Sequence, residues 1–458
     1  MTYKTIFEPF KIKSVEPINI SSQEEREQYI KDAFYNPFLL TSKHVMIDFL
    51  TDSGTSAMSA NQWAGIMIGD ESYAGASSWE HLHSTIKDLT GYHHILPTHQ
   101  GRAAERILYS VLGGKGKTFI SNTHFDTTRA NIEFSGAEAF DIPVPESTQP
   151  KLIHPFKGNM DIEKLENLII EKGAENIGCV ILTVTNNSGG GQPVSMQNAK
   201  DIRAVCIKYG VKFFLDCCRI AENAYFIKHR EEEYKDKTYK EIAQEMFALA
   251  DGAIMSAKKD GLANMGGFLA IEDEKLSEKC STLLIITEGF TTYGGLSGRD
   301  MEAIAIGIGE SVNDDHIRAR IGQVEYLGDM LINAGIPVVR PIGGHGVFLN
   351  ARKFLPHLEQ TAFPAQALAA EIYVDSGVRS MERGIVSAGR NKDTGEHNFP
   401  NLELVRLTIP RRVYTQAHME VIAESIESVF TNREKINGLK MIYEPKYLRF
   451  FQARFEKL

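Results

Sequence analysis

GCVILTVTNNSGGGQPVSMQNAKDIRAVCIKYGVKFFLDCCR, residues 178–219, contains the pattern on which the fold turns. CVILTV is a continuous run of β-branched and aliphatic residues, too short for a buried helix and bounded by a polar, glycine-rich turn. MQNAKDIRAVCIKYG has helical spacing of its apolar residues and ends on glycine. VKFFLD is a second short apolar run. Strand, helix, strand in so few residues is the signature of a parallel pair joined by a crossover helix.

The alternation extends outward from there. KTFISN and GAIMSA read as further buried strands, and MDIEKLENLIIEKG and YKEIAQEMFALA as amphipathic helices. The region from about residue 85 to 275 is therefore expected to form a largely parallel sheet covered on both faces. Upstream, Ser22 and Glu25 in SSQEEREQYIKDAF have capping-box spacing. Beyond residue 310, DDHIRARIGQVEYLGDMLINAG predicts a long helix. Strands are expected near PVVRPI and VRLTIP, giving a second, smaller α+β unit. The fold class is α/β with an appended α+β domain.

Bulk properties exclude several functions. The chain has 458 residues with 43% hydrophobic and 24% charged content and a net charge of -9. A pI of about 5.9 with no basic stripe argues against a nucleic-acid partner. No apolar run reaches the roughly 20 residues of a membrane helix, and the N-terminus lacks a secretory apolar core. Five cysteines without regular spacing fit a reducing compartment. A cytoplasmic protein with neither membrane nor nucleic-acid partners is expected.

In open parallel sheets, ligands bind beyond the carboxyl ends of the strands. After CVILTV comes Asn187, after VKFFLD come Asp216 and Arg219, and after GAIMSA come Lys258 and Lys259. In THQGRAAE, residues Gln100, Gly101 and Arg102 precede a helix whose free N–H groups suit a phosphate. Alone, each has a plain reading: a solvated lysine pair, a turn aspartate, an ordinary helix start. Together they supply what pyridoxal 5′-phosphate requires: an anion site, a lysine for the Schiff base and a carboxylate for the pyridine nitrogen. Five of the fourteen histidines lie between His81 and His99, but without carboxylate or cysteine partners at metal-ligand spacing and without HExxH. The GxSxG and P-loop patterns are also missing. A non-catalytic oligomeric scaffold is the remaining bland alternative.

TDSGTSAMS, GDESYAG, PTHQGRAAE, GGGQPVSM, AENAYFIK, MSAKKD, EGFTTYGG, FPAQALA, LVRLTIPRR and YEPKYLRFF, in order along nearly the whole chain, resemble the pyridoxal-phosphate β-eliminating lyases, the family of tyrosine phenol-lyases and tryptophanases. The resemblance implies the aspartate-aminotransferase-like fold type I. It divides the chain into an N-terminal arm with part of the small domain (1–57), a large cofactor domain (58–310) and a C-terminal small domain (311–458). It also implies a homotetramer with active sites shared between subunits, and activation by a monovalent cation such as K+.

Residue by residue, it makes Lys259 the Schiff-base lysine. Lys258 would tune its neighbour's charge or hold the phosphate side. Gln100, Gly101, Arg102 and Ser256 would bind phosphate and Phe125 would stack on the ring. Asn187 and Arg219 would contact the 3′-oxygen, and Asp216 the ring nitrogen. Arg406 would take the substrate carboxylate, helped by Thr51, Ser53 and Asn187. Tyr73 would be the general acid at the leaving-group carbon, reaching in from a neighbouring subunit with the region around Phe290 and Tyr293. Gly54, Glu71 and Asn264 would hold the cation.

The leaving-group markers divide. Arg383 in SMERG matches the arginine that faces a phenolic oxygen in phenol-lyases, and Phe450-Phe451 and GRDMEA lean the same way. Met381 stands beside Arg383 and is counted with the substrate pocket. Asp126 in FDTT stands where phenol-lyases carry a threonine and tryptophanases an aspartate. Phe290 in EGF stands where phenol-lyases tend to have methionine, and YNPFLL and KHREEEYKDKT also lean toward tryptophanases. The expected reaction is cleavage of L-tyrosine to phenol, pyruvate and ammonia, with tryptophan or another β-substituted amino acid as the alternative. Plain readings are a surface ion pair for Arg383 and C-terminal packing for Phe450 and Phe451. Cys217 and Cys218, flanking the ring-side Asp216, default to buried small hydrophobes.

Overall fold

The computed structural model describes residues 6–391, 394–446 and 448–458. Tyr447 of YEPKYLRFF therefore lies outside the described residues. The chain resolves into two compact units. The first is built mainly from Ser53–Ser147 and His154–Ile321, and the second from Phe10–Asp52, Thr148–Ile153 and Gly322–Leu458.

The first unit is organised on a seven-stranded sheet. Its strands are β1 (His94–Thr98), β2 (Thr118–Ser121), β3 (Glu138–Asp141), β4 (Ile177–Thr183), β5 (Phe213–Asp216), β6 (Gly252–Ser256) and β7 (Gly267–Ile271). Their spatial order is β1-β7-β6-β5-β4-β2-β3. The neighbours from β6 to β3 pair in parallel, whereas β7 runs antiparallel to both β1 and β6. β4, β5 and β6 are buried along their whole lengths, which is why they read as unbroken apolar runs rather than alternating ones. Helices cover the sheet, among them α1 (Gly101–Leu112), α2 (Asp126–Phe134) and α3 (Met196–Tyr209). α3 starts at a Ser195 cap that accepts from the Asn198 N–H and ends on Gly210 in the left-handed region.

The second unit centres on a three-stranded antiparallel sheet. Its members are β8 (Gly346–Asn350), β9 (Met381–Arg383) and β10 (Leu404–Thr408), in the order β9-β10-β8. Its own apolar core gathers Val347, Leu349, Leu368, Ile372, Val405, Leu407, Ile422 and Ile426. The helix Gln23–Asp32 has the reciprocal Ser22–Glu25 capping box anticipated from sequence.

One expected strand is not formed. PVVRPI makes only an isolated bridge, Val338 to Leu349, with the Val339 N–H donating to Phe348 O at 2.9 Å. Pro337 and Pro341 have no N–H for a ladder, so the segment cannot continue as a paired strand. No helix is long and apolar enough to cross a membrane among the described residues.

Candidate active site

The carboxyl ends of β4, β5 and β6 lie side by side, Thr183 opposite Asp216 and Asp216 opposite Ile254. Asp216 thus closes a central strand with parallel neighbours on both sides. Chain continuing from each end is cross-tied. Val184 N–H donates to Asp216 O at 3.0 Å, Arg219 N–H to Val184 O at 3.2 Å and Cys217 N–H to Ile254 O at 3.0 Å. Asn187, Asp216, Arg219 and Ser256 are all buried here.

Lys259 is placed by its neighbours. Asp260 N–H donates to Cys218 O at 3.2 Å. The buried Asp260 carboxylate accepts from Ala221 N–H at 2.8 Å, in the first turn of helix Ile220–Arg230. A helix N-terminus favours an anion there, so this bond pins the backbone after Lys259 to the segment after Asp216. Lys258 and Lys259 are half-buried. Burial, then the charges of Lys259 and Arg102, lower the Lys258 ammonium from its usual range. The lysine pair is not a solvated face.

Cys218 does more than fill space. Its Sγ accepts from Ser256 N–H at 3.2 Å and its N–H donates to Asp216 Oδ1 at 3.3 Å, so one residue joins the ends of β5 and β6. Burial and the adjacent Asp216 push its thiol far above the ordinary range. Cys217 is buried in the core and donates to Ile254 O.

α1 begins at Gly101, and a Cβ on that residue would lie 2.7 Å from Ser256 Cβ and 2.9 Å from its Cα. Gln100 pairs with Gly266, whose N–H donates to His99 O at 2.8 Å and whose carbonyl accepts from Ala257 N–H at 3.0 Å. The start of α1, Ser256 and the lysine loop therefore share one hydrogen-bonded frame. Gln100 is half-buried and Arg102 exposed. First-turn N–H groups beside a serine and an arginine are groups that could hold a phosphate dianion.

Phe125 is the residue before α2, and Asp126 its first. Asn122 holds this approach in place: its Nδ2 donates to Gly158 O and Thr183 O, and its Oδ1 accepts from Thr183 N–H at 2.9 Å. Two groups here escaped sequence reading. His124 is buried, with Nδ1 2.7 Å from Asp141 Oδ1, and Arg129 Nη2 lies 2.6 Å from Asp141 Oδ2. Glu105, four residues into the α1 helix from Gly101, is a buried carboxyl bonded by three α2 side chains. Its spacing from the glycine was the available signal, since residues four apart share a helix face.

Tyr73 belongs to a separate aromatic cluster, its ring 6.0 Å from that of Phe290 and 5.2 Å from that of Tyr293. It is 72% exposed. Gly54 and Asn264 meet: Asn264 Nδ2 donates to Gly54 O at 3.0 Å, and Gly54 N–H to Lys258 O at 2.7 Å. Glu71 instead accepts from the Gly298 and Arg299 N–H groups and pairs with the Arg299 guanidinium. Ser53 is half-buried on the same stretch as Gly54. His81, His93 and His99 bond Glu302, Glu272 and Glu288, and no cluster of three metal-ligating side chains occurs among the described residues.

In the second unit, Arg406 is central in β10, opposite Met381 on one side and Phe348 on the other. It is buried and donates through Nη2 to Leu50 O at 3.1 Å, adjacent in sequence to the half-buried Thr51. Arg383 ends β9 half-buried. The segment after it is fixed by Arg449, which donates to Ile385 O, Val386 O and Gly389 O. Phe450 and Phe451 pack ring to ring at 4.0 Å and edge-on against Phe38, so the packing role holds for both.

This architecture is that of the fold-type-I pyridoxal-phosphate enzymes. A serine palmitoyltransferase of Sphingomonas wittichii superposes with a TM-score of 0.60 at 14% identity, over 90% of this chain and 97% of that one. The particular family follows from sequence comparison: the β-eliminating lyase family model matches residues 48–425, and the chain belongs to that family. Relatives include a tyrosine phenol-lyase of Clostridium tetani, 56% identical over 98% of each chain. Another, from Nostoc punctiforme, is 55% identical over 98% of this chain and 96% of its own. A tryptophanase of Salinibacter ruber is 51% identical over 98% and 95%.

Proposed function

We propose that this chain is a carbon–carbon lyase that splits an aromatic amino acid, L-tyrosine first, into phenol, pyruvate and ammonia, using pyridoxal 5′-phosphate held by Lys259. The observation that carries the reading is the placement of Lys259. A hydrogen bond from the next residue ties it to the loop leaving Asp216, beside a helix start packed onto Ser256. The donor set suits the cofactor: first-turn N–H groups, Ser256 and Arg102 for a phosphate, a buried carboxylate and an amine on one sheet edge.

When bound, the group supplies an electron sink for the pair left at the substrate α-carbon. Lys259 Nζ would hold the cofactor and, with its amine free, would be the base for the α-proton. The Asp216 carboxylate holds the proton on the ring nitrogen. Asn187 and Arg219 bind the 3′-oxygen and Phe125 covers the ring face. Gln100, Gly101, Arg102 and Ser256 bind the phosphate, with Lys258 alongside. Arg406 takes the substrate carboxylate with a two-pronged guanidinium, assisted by Thr51, Ser53 and Asn187. Tyr73 Oη delivers a proton to the ring carbon that leaves, a step needed because a phenyl carbanion is a poor leaving group. Arg383 and Asp126 orient the β-substituent, with Phe290, Met381, Phe450 and Phe451 lining its pocket.

Gly54, Glu71 and Asn264 are assigned to a K+ site, and the assembly to a homotetramer whose subunits complete one another's sites. Exposure of Tyr73 supports the second assignment. Five unpaired cysteines support a cytoplasmic setting. The second reading, tryptophanase, is favoured by Asp126 and by the relative of that name. The test is a pyruvate assay of the purified protein with tyrosine, tryptophan and several cysteine conjugates. Tyrosine turnover with the visible absorbance of lysine-bound cofactor is expected, and both vanish in Lys259→Ala. An unchanged band in that variant removes the assignment.

A further inference from the structure

Glu105 is an acid in the interior of the first unit, on the helix that starts at Gly101. Every side chain that bonds it comes from the first two turns of α2. Thr128 Oγ1 donates to Oε1 at 2.5 Å, and Thr127 Oγ1 and Asn131 Nδ2 donate to Oε2 at 3.3 Å each. Asn131 Nδ2 also reaches Arg102 O at 3.4 Å. One carboxyl thus joins the helix start that carries Gly101 and Arg102 to the helix start that carries Phe125 and Asp126. Burying a carboxyl is costly without compensation, and here three donors from a single element supply it.

The charged and titratable groups around it are Asp216 at the end of β5, Lys259 beyond β6, and Tyr109 one turn further along α1. Burial, then the negative charge of Asp216, push the Glu105 carboxyl up to about 7, against the bonds from Thr128 and Asn131 and the Lys259 ammonium.

We propose that Glu105 is a positioning residue of the Lys259 site. It braces the anion-binding start of α1 against the ring-covering start of α2. The proposal rests on the cofactor reading above. Two variants test it: Glu105→Ala removes the brace, whereas Glu105→Gln retains a hydrogen-bonding side chain of the same length. Thr128→Val, a milder change at the other end of the shortest bond, stands in should Glu105→Ala fail to fold.

Hydrogen–deuterium exchange at the amides of residues 127–131 is expected to accelerate about 10-fold in Glu105→Ala, and less in Glu105→Gln. Loss of cofactor on dialysis should rise by a similar factor in the alanine variant, with substantial rescue by glutamine. Wild-type exchange and cofactor retention in Glu105→Ala, or losses in Glu105→Gln as large as those in Glu105→Ala, would overturn the proposal. A wild-type protein that never develops the visible band defeats the cofactor reading instead, and the exchange measurement then decides the brace on its own.

Discussion

Gly101 and Ser256 touch so closely that no side-chain carbon fits between them: a Cβ at 101 would stand 2.7 Å from Ser256 Cβ and 3.0 Å from Ser256 N. The obstruction is largely backbone, which cannot rotate aside. Gly101→Ala should therefore push the start of α1 off the end of β6. Overpacking of this kind costs about 1–3 kcal/mol, and at this position the cost would fall on the proposed phosphate site. Cofactor affinity, titrated by absorbance, is expected to fall roughly 10- to 100-fold. Wild-type affinity would show that the phosphate is bound elsewhere.

Arg383 is assigned to the leaving group, so its removal should depend on what leaves. Arg383→Ile is expected to depress tyrosine cleavage by about 10- to 100-fold, the worth of a hydrogen bond to a charged donor. An S-alkylcysteine, whose thiolate departs unaided, should lose little. Equal losses on the two substrates would remove the arginine from ring recognition.

Asp126 begins α2 with a carboxylate where a phenol-lyase pocket carries a threonine. Asp126→Thr is expected to raise kcat/KM for tyrosine relative to tryptophan in the same assay. Unchanged ratios would count against a modified phenol-lyase site. The helix itself should survive, since threonine is tolerated near a helix N-terminus.

Glu382 and Glu403 are buried together beneath the turn that follows Arg383. Glu382 accepts from Val386 and Ser387 N–H groups at 2.9 Å, and Glu403 from Ile385 N–H at 3.1 Å and Gln360 Nε2 at 2.9 Å. Burial, then the charge of Glu382, raises the Glu403 carboxyl well above its ordinary range. A raised acid is protonated in the folded chain while the unfolded chain has already ionised. Its contribution is thus fully present in mild acid and declines as pH climbs from the ordinary carboxylate range toward the raised value. Glu403→Gln should flatten that decline, unfolding at higher urea than wild type at pH 8 by about 1 kcal/mol and not at pH 5. Parallel pH curves for the two proteins would refute the assignment.

The central sheet was legible in sequence because β4, β5 and β6 are fully buried and so appear as uninterrupted apolar runs. The antiparallel strands β1 and β7 were not singled out. HILPT contains a proline and GFLAI opens on the second of two glycines, features that read as punctuation rather than strand. PVVRPI failed in the opposite sense, being apolar enough for a strand but short of backbone donors. Strand ends exposed Asn187, Asp216 and Lys259 to sequence reading because topology places ligands there. Glu105, His124 and Asp141 were hidden because their partners, Thr128 and Arg129 among them, are defined by packing between elements rather than by spacing along one.

Gly266 bonds His99 through its N–H and Ala257 through its carbonyl, in the two successive peptides that flank its Cα. That small crosspiece makes the lysine loop and the start of α1 a single mechanical part. Disturbance at one has a rigid route to the other. Emptying the site should consequently raise local opening of residues 99–101 and 256–259 in concert, as one breathing motion with one rate.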